Sequence, residues 1–258
     1  MERKLLLFDL DGTLLTSEKT ISPRTLNALD SCRKKGWLVG ISTSRAEANC
    51  LTFVAGLQPD VLIASGGAVV KFGAEYAYLA AFSLEESRAM IQTAREICGA
   101  RCQMTIDTVY ANYWNYETDP TRDDASWGGS VYTDFSDVPE GNLKFCVEIF
   151  DEDQAARMAA ALPDCDCARF TGGHWYKFTK KEATKENALL ILEEKCGIEA
   201  CNITAFGDDW ADIGMLKICG TGVAMGNAIE AVKAAADVVI GSNDADGIAE
   251  YLENNFLI

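Results

Sequence analysis

The chain has 258 residues, with 39 acidic against 23 basic side chains and a formal charge of −16. That excess disfavours nucleic acid and anionic membranes as partners and repels a phosphorylated ligand at long range, so a phosphate site has to be built locally from metal, lysine, arginine and backbone amides. Ten cysteines without a C-x-x-C pair, a single histidine (His174) and the lack of a bilayer-length apolar run speak against zinc centres, histidine-based triads and membrane spans.

Leu5-Leu6-Leu7-Phe8 has the character of a parallel strand covered on both faces, and four apolar residues are too few for a signal-peptide core. The strand runs into Asp9-Leu10-Asp11-Gly12-Thr13, two carboxylates one residue apart and then a glycine turn. In open α/β sheets ligands bind beyond the carboxyl ends of the strands, where Asp9 and Asp11 fall. Ser22-Pro23 supplies an N-cap and a first-turn proline for a helix carrying Leu26, Leu29 and Cys32 and stopped by Gly36. A strand over 37–42 ends in Thr43-Ser44-Arg45 and a helical stretch to about Ala55, and a third strand over 60–65 stops at Gly66-Gly67. This alternation predicts a parallel sheet with right-handed crossovers.

Near residue 80 the rhythm changes. Ser83-Leu84-Glu85-Glu86 is a capping-box pattern opening a helix to about Cys98, with Gly99 as its stop. Strands over 103–106 and 109–113, an acidic loop over 117–124, a strand over 144–150, a helix over 153–162 and strands around Ala168 and over 175–178 follow. This predicts an α+β insert, aromatic-rich through Tyr110, Tyr113, Trp114, Tyr116, Trp127, Tyr132, Trp175 and Tyr176, most of them core and a few free to stack on a ligand. His174, next to Gly172-Gly173, reads as a surface or turn residue, or a substrate contact from the insert. A helix over 185–196 before Gly197, a strand leading to Gly207-Asp208, a helix over 213–218, a strand over 222–225, a helix over 228–235, a strand over 237–240 and a terminal helix from Asp246 restore the βαβ order. The predicted fold is therefore a doubly wound, Rossmann-like parallel α/β core, residues 1–81 and 180–258, with an inserted α+β cap over 82–179. The cysteines read as small buried apolar residues in a reducing cytosol; Cys165-Asp166-Cys167 is too tight for an ordinary zinc pair.

Two carboxylates as close as Asp9 and Asp11 repel unless they share a cation or one holds a proton. A divalent metal accepts oxygen ligands and lets one carboxylate attack phosphorus while the other moves protons. The polar strand ends converge on that chemistry: Asp9 and Asp11 after the first strand, Thr43 after the second, Lys185 opening the helix after the insert, and Asp208, Asp209 and Asp212 after a later strand. Phosphoryl transfer needs a nucleophile, a metal bridge and donors for the charged equatorial oxygens. Singly, each residue also has an ordinary place as a turn, strand-end, first-turn or N-cap residue.

In order and spacing these motifs resemble the haloacid dehalogenase superfamily of phosphatases, and within it the Cof-type, subfamily IIB branch with a C2-type cap. Asp9-Leu10-Asp11-Gly12-Thr13 matches the first motif, Thr43-Ser44-Arg45 the second, Lys185 the third and Gly207-Asp208-Asp209-Trp210-Ala211-Asp212 the fourth. The resemblance implies a phosphatase of small cytosolic phosphorylated metabolites, sugar phosphates foremost, acting through an aspartyl-phosphate. It makes Asp9 the nucleophile, Asp11 the acid and base, Thr43 a phosphoryl donor and Lys185 the neutralising cation. It gives Mg2+ to Asp9, the Asp11 carbonyl and Asp208, with Asp212 as a further ligand or as the group that orients Lys185 or metal-bound water, and makes Gly12, Ser44, Arg45 and Asn227 substrate contacts. Arg45 either touches the substrate or clamps a carboxylate; Asn227 either lies beside the phosphate or is a plain N-cap. The family usually has glycine at Ser44 and asparagine at Ala211 and Gly66; Ala211 removes a polar group beside the metal, so weaker magnesium binding is expected. A phosphomutase of the same fold and a phospho-ligand-binding protein without turnover are the alternatives; a cytoplasmic monomer or weak homodimer is the expected form.

Overall fold

A computed structural model describes residues 3–54, 56–116, 130–170 and 173–257. Ala55, the acidic loop 117–124, Trp127 and Gly172 lie outside them. The chain divides into two compact units, one made of Met1–Arg45, Cys50–Tyr78 and Thr184–Ile258, the other of Ala46–Asn49 and Leu79–Ala183.

The first unit begins with β1 (Lys4–Phe8), whose four apolar side chains are fully buried. Each such residue contributes about 1.5–3 kcal/mol through apolar area removed from water. Helix α1 (Pro23–Lys34) starts where the Ser22 hydroxyl accepts the Thr25 N–H and proline occupies the first turn. Strand β2 (Trp37–Ser42), helix α2 (Glu47–Phe53, divided between the two units after Asn49), β3 (Val61–Ala64), β4 (Val69–Phe72) and β5 (Glu75–Leu79, in this unit as far as Tyr78) follow.

The second unit runs through α3 (Leu84–Cys98), β6 (Met104–Asp107), β7 (Asn112–Trp114), β8 (Ser130–Tyr132), β9 (Lys144–Glu148), α4 (Glu152–Ala161), β10 (Cys165–Arg169) and β11 (Trp175–Lys180). Its six strands lie in the order β10-β11-β9-β6-β7-β8. Met104, Ile106, Phe145, Val147 and Phe178 alternate onto one face and pack with Met90, Ile91 and Ala94 of α3 and Met158 of α4. On the other face Lys144 Nζ meets Asp107 Oδ2 at 2.5 Å, and Asn112 Nδ2 donates to Asp107 Oδ1. Side-chain exposures of 6% and 2% make this a buried ion pair. Tyr116 lies between Trp114 and Trp175, at centroid distances of 4.8 and 5.8 Å, whereas Tyr113 and Tyr176 join the helix-side core. Tyr110 and Tyr132 are exposed, as is His174, whose ring lies against Phe150.

The first unit resumes with α5 (Lys185–Cys196), β12 (Ile203–Gly207), α6 (Ile213–Ile218), β13 (Thr221–Ala224), α7 (Glu230–Ala235), β14 (Val238–Val239) and α8 (Gly247–Asn255). Its eight strands lie in the order β14-β13-β12-β1-β2-β3-β4-β5. From β14 to β3 every pairing is parallel, and β4 returns antiparallel to β3. Helices α1 and α8 pack together, as do α5 and α6. Phe8 stacks on Phe206 at 4.5 Å, and Tyr251 of α8 meets Phe206 edge-on. This is the doubly wound α/β fold, and β1, between β12 and β2, is where the strand order reverses, the place at which such sheets bind ligands.

The structure differs from the predicted elements in several places. No strand is predicted for the β4–β5 segment, whose strands are short and where the burial of β5 does not alternate cleanly, nor for the three residues of β8, which pair with β7. Strand β7 begins at Asn112 and not at Val109, because the Thr108 hydroxyl accepts the N–H groups of Tyr110 and Ala111 and closes a turn there.

Replacing Asp107 by Asn removes the carboxylate charge from this buried ion pair. Urea unfolding is expected to show a loss of about 3–5 kcal/mol, with the double variant Asp107→Leu/Lys144→Met closer to the wild type than Asp107→Asn. A loss below about 1 kcal/mol for Asp107→Asn would contradict the buried pair.

Candidate active site

Asp9 follows the last residue of β1, its N–H bonded to the Phe206 carbonyl of β12 at 2.9 Å. Lys185 is the first residue of α5, whose start is set by the Thr184 hydroxyl accepting the Asn187 N–H at 3.2 Å. The turn after β3 packs against that start. Gly67 sits at φ +110°, and a Cβ there would lie 2.2 Å from the Thr184 carbonyl oxygen. The same turn ties to the end of β2, since the Ser65 and Gly66 N–H groups donate to the Arg45 and Thr43 carbonyls. Three crossover ends are thus interlocked before any ligand is considered.

At the centre Lys185 Nζ donates to Asp9 Oδ1 at 2.5 Å and to Asp212 Oδ1 at 2.6 Å, with Lys185 and Asp212 almost fully buried. The second oxygen of Asp212 accepts the N–H groups of Asp208 and Asp209 at 2.9 and 3.1 Å. Both Asp212 oxygens are therefore committed to orienting Lys185 and the loop after β12. Asp208 Oδ1 accepts the Thr13 hydroxyl at 2.7 Å. Gly12, at φ +82°, lets this carboxylate close on the loop: a Cβ at Gly12 would lie 2.3 Å from Asp208 Oδ2.

Burial pushes the Asp9 carboxyl well above the usual carboxylate range; Lys185 opposes the shift, and Asp212 and Asp208 add to it. Burial likewise raises Asp208 to about 6, against the Thr13 hydrogen bond and with Asp212 and Asp209 adding to it. For Lys185, burial acts against the charge, but Asp212 and Asp9 outweigh it and push the ammonium above the ordinary lysine range. Carboxylate oxygens of Asp9, Asp208 and Asp212 lie within 4.8 Å of one another. Three carboxylates around one ammonium leave negative charge in excess on hard oxygen donors, and that donor set fits a divalent cation.

Asp11 lies apart from this cluster. Arg45 grips it as a fork, Nε to Oδ2 at 2.6 Å and Nη2 to Oδ1 at 2.9 Å, and Lys19 Nζ reaches Oδ1 at 2.7 Å. Burial would raise its carboxyl, but the bonds from Arg45 and Lys19 prevail and hold it below the usual range. The Arg45 guanidinium that grips Asp11 also lies over the Phe53 ring at 4.4 Å. The Thr43 hydroxyl accepts the Arg45 N–H at 3.1 Å, and Ser44 beside it is half-buried. Asn227 donates from Nδ2 to the Gly12 carbonyl at 2.7 Å and accepts the Asn243 N–H at 3.1 Å, so its amide braces the loop of Asp11. Ala211 is exposed in the 3-10 turn Trp210–Asp212. Sequence reasoning did not single out the Thr13 and Lys19 contacts. Thr13 stands within the first motif, whereas nothing in the spacing of Lys19 marks it.

A doubly wound sheet with a lysine–carboxylate cluster at the end of its central strand defines an α/β protein built for chemistry at that switch point. The chain belongs to the haloacid dehalogenase-like hydrolase family, whose sequence pattern matches residues 6–252. It is similar to the pyridoxal phosphate phosphatase YbhA of Escherichia coli (strain K12), 28% identical over 100% of both chains. It is also similar to the 5-amino-6-(5-phospho-D-ribitylamino)uracil phosphatase YcsE of Bacillus subtilis (strain 168), 29% identical over 97% of this chain and 95% of that one. A solved structure, the subclass IIB sugar phosphatase BT4131, superposes with a TM-score of 0.81 at 27% identity, covering 99% of this chain and 100% of that chain.

Lys185→Met leaves Asp9 and Asp212 buried without their cation. The variant is expected to lose about 3–5 kcal/mol at neutral pH by denaturant unfolding. The deficit should shrink toward about pH 5, as protonation removes the uncompensated charge. A deficit independent of pH would contradict this electrostatic account.

Proposed function

We propose that the chain is a magnesium-dependent phosphomonoester hydrolase of small phosphorylated metabolites, sugar phosphates foremost, working in the cytoplasm through a phosphorylated Asp9. The observation that carries the proposal is the Lys185 bridge between Asp9 and Asp212 at the switch point of a haloacid dehalogenase-like fold. The named relatives act on a pyridoxal phosphate, a phosphoribityl-aminouracil and sugar phosphates, all small phosphomonoesters, which supports the substrate class. Among the described residues no helix is long and apolar enough to cross a membrane.

Asp9, with Oδ1 on Lys185, attacks phosphorus through its other oxygen; the ester P–O bond breaks and an acyl phosphate forms. The anionic ester bound beside Asp11 raises its carboxyl and lets it take up a proton; Asp11 gives that proton to the departing oxygen, then recovers one from the water that attacks the acyl phosphate and frees Asp9. Thr43 and Lys185 supply donors for the phosphoryl oxygens, and Asp212 keeps Lys185 in place. Asp9, Asp208 and the Asp11 carbonyl would hold Mg2+, which when bound neutralises charge on the nucleophile and the transferring group.

Phosphate release from a panel of phosphorylated sugars, nucleotides and cofactors is expected to require magnesium and to fall to background in Asp9→Asn. Isomerised sugar phosphate without free phosphate would favour a mutase, and no turnover by the folded protein a binding role. Because protonation of Asp208 competes with the cation, magnesium should raise the melting midpoint more at about pH 7.5 than at about pH 5. An equal shift at both would contradict Asp208 as a ligand.

A further inference from the structure

Lys19 holds a left-handed backbone conformation, φ +59°, that side-chain-bearing residues seldom adopt. Short bonds hold it there: Thr16 N–H to the Thr20 carbonyl and Lys19 N–H to the Thr16 carbonyl, both at 2.9 Å. The loop is also pinned from the far end of the chain. Asp244 accepts the Ser17 N–H at 2.7 Å and the Ser17 hydroxyl at 2.6 Å on its two oxygens, and Asn243 Nδ2 donates to the Leu15 carbonyl at 2.9 Å. The Lys19–Asp11 pair that results is half exposed, 47% and 36%, and ion pairs of that kind return little stability. Folding energy therefore gives little reason for a strained lysine here, and strained backbone concentrates where geometry serves function.

The effect of Lys19 on Asp11 is specific. Oδ1 accepts both Lys19 Nζ and Arg45 Nη2, while Oδ2 accepts only Arg45 Nε among the described residues. A carboxylate oxygen has room for two such bonds. With Oδ1 filled, Oδ2 is the oxygen left to exchange a proton.

Resting on the hydrolase reading above, we propose that Lys19 is a positioning residue that selects Oδ2 of Asp11 as the proton-transferring atom, and that the Ser17–Asp244 pin sets Lys19 in place. In the first half-reaction Asp9 bonds to phosphorus as the ester P–O bond breaks, and Asp11 Oδ2, protonated in the complex with the anionic ester, passes its proton to the departing oxygen; in the second Oδ2 takes a proton from the attacking water as that oxygen bonds to phosphorus and the bond between Asp9 and phosphorus breaks. Without Lys19, each oxygen keeps one Arg45 bond and the two become equivalent.

The test compares 4-nitrophenyl phosphate, whose leaving group departs without a proton, with phenyl phosphate, whose leaving group needs one. Lys19→Met is expected to lose about tenfold in kcat/KM on phenyl phosphate and less than about twofold on 4-nitrophenyl phosphate, with Lys19→Arg recovering most of the loss. Asp244→Ala should show the same selectivity, and its effect should vanish in the Lys19→Met background because it acts through Lys19. Equal losses on both esters, no loss, or additive effects of the two substitutions would overturn the inference. Hydrolysis of both esters by the wild type, abolished in Asp9→Asn, is the control: its failure would overturn the hydrolase reading instead.

Discussion

The buried ammonium of Lys185 between Asp9 and Asp212 is the constraint on which the rest of the first unit depends. Two carboxylates from the ends of β1 and the loop after β12 approach each other in a water-poor place only because one cation bonds to both. Removing one member of a buried charged set leaves the others without compensation, which makes such sets all-or-none. The start of α5, the turn at Gly67 and the loop after β12 are positioned by what this one amine requires.

Around that centre the acidic residues divide the work by their surroundings. Asp212 spends both oxygens on protein donors, Asp9 and Asp208 are pushed above the usual carboxylate range by burial with Asp212 adding to both shifts, and the carboxyl of Asp11 is held below that range by its bonds from Arg45 and Lys19. The division also answers the problem set by a chain of charge −16, in which cations must be placed singly and close to where an anionic ligand is handled.

Much of this was legible in the sequence because it is written locally. The apolar run before Asp9 announces a covered strand, Ser22-Pro23 and Ser83 to Glu86 announce helix starts, and α5 ends at Cys196 as Gly197 implies. The unforeseen parts depend on partners far along the chain. The β4 and β5 strands are short and lack a clear period, so only pairing with β3 defines the first of them. Nothing local distinguishes an Asn227 that reaches a ligand from one that braces Gly12, or a Trp114 in the core from one on the opposite face. Lys19 looks like any solvated loop lysine until Asp244, more than two hundred residues later, is seen to hold its loop.

The central claim, that Asp9 is the nucleophile, is tested most directly by rapid-quench peptide mass spectrometry during turnover of 4-nitrophenyl phosphate with magnesium. A phosphoryl group on the peptide containing residues 5–13, assigned to Asp9 and absent in Asp9→Asn, is the predicted result. Steady phosphate release with that peptide unmodified at every quench time, or a phosphoryl group on another residue, would contradict it.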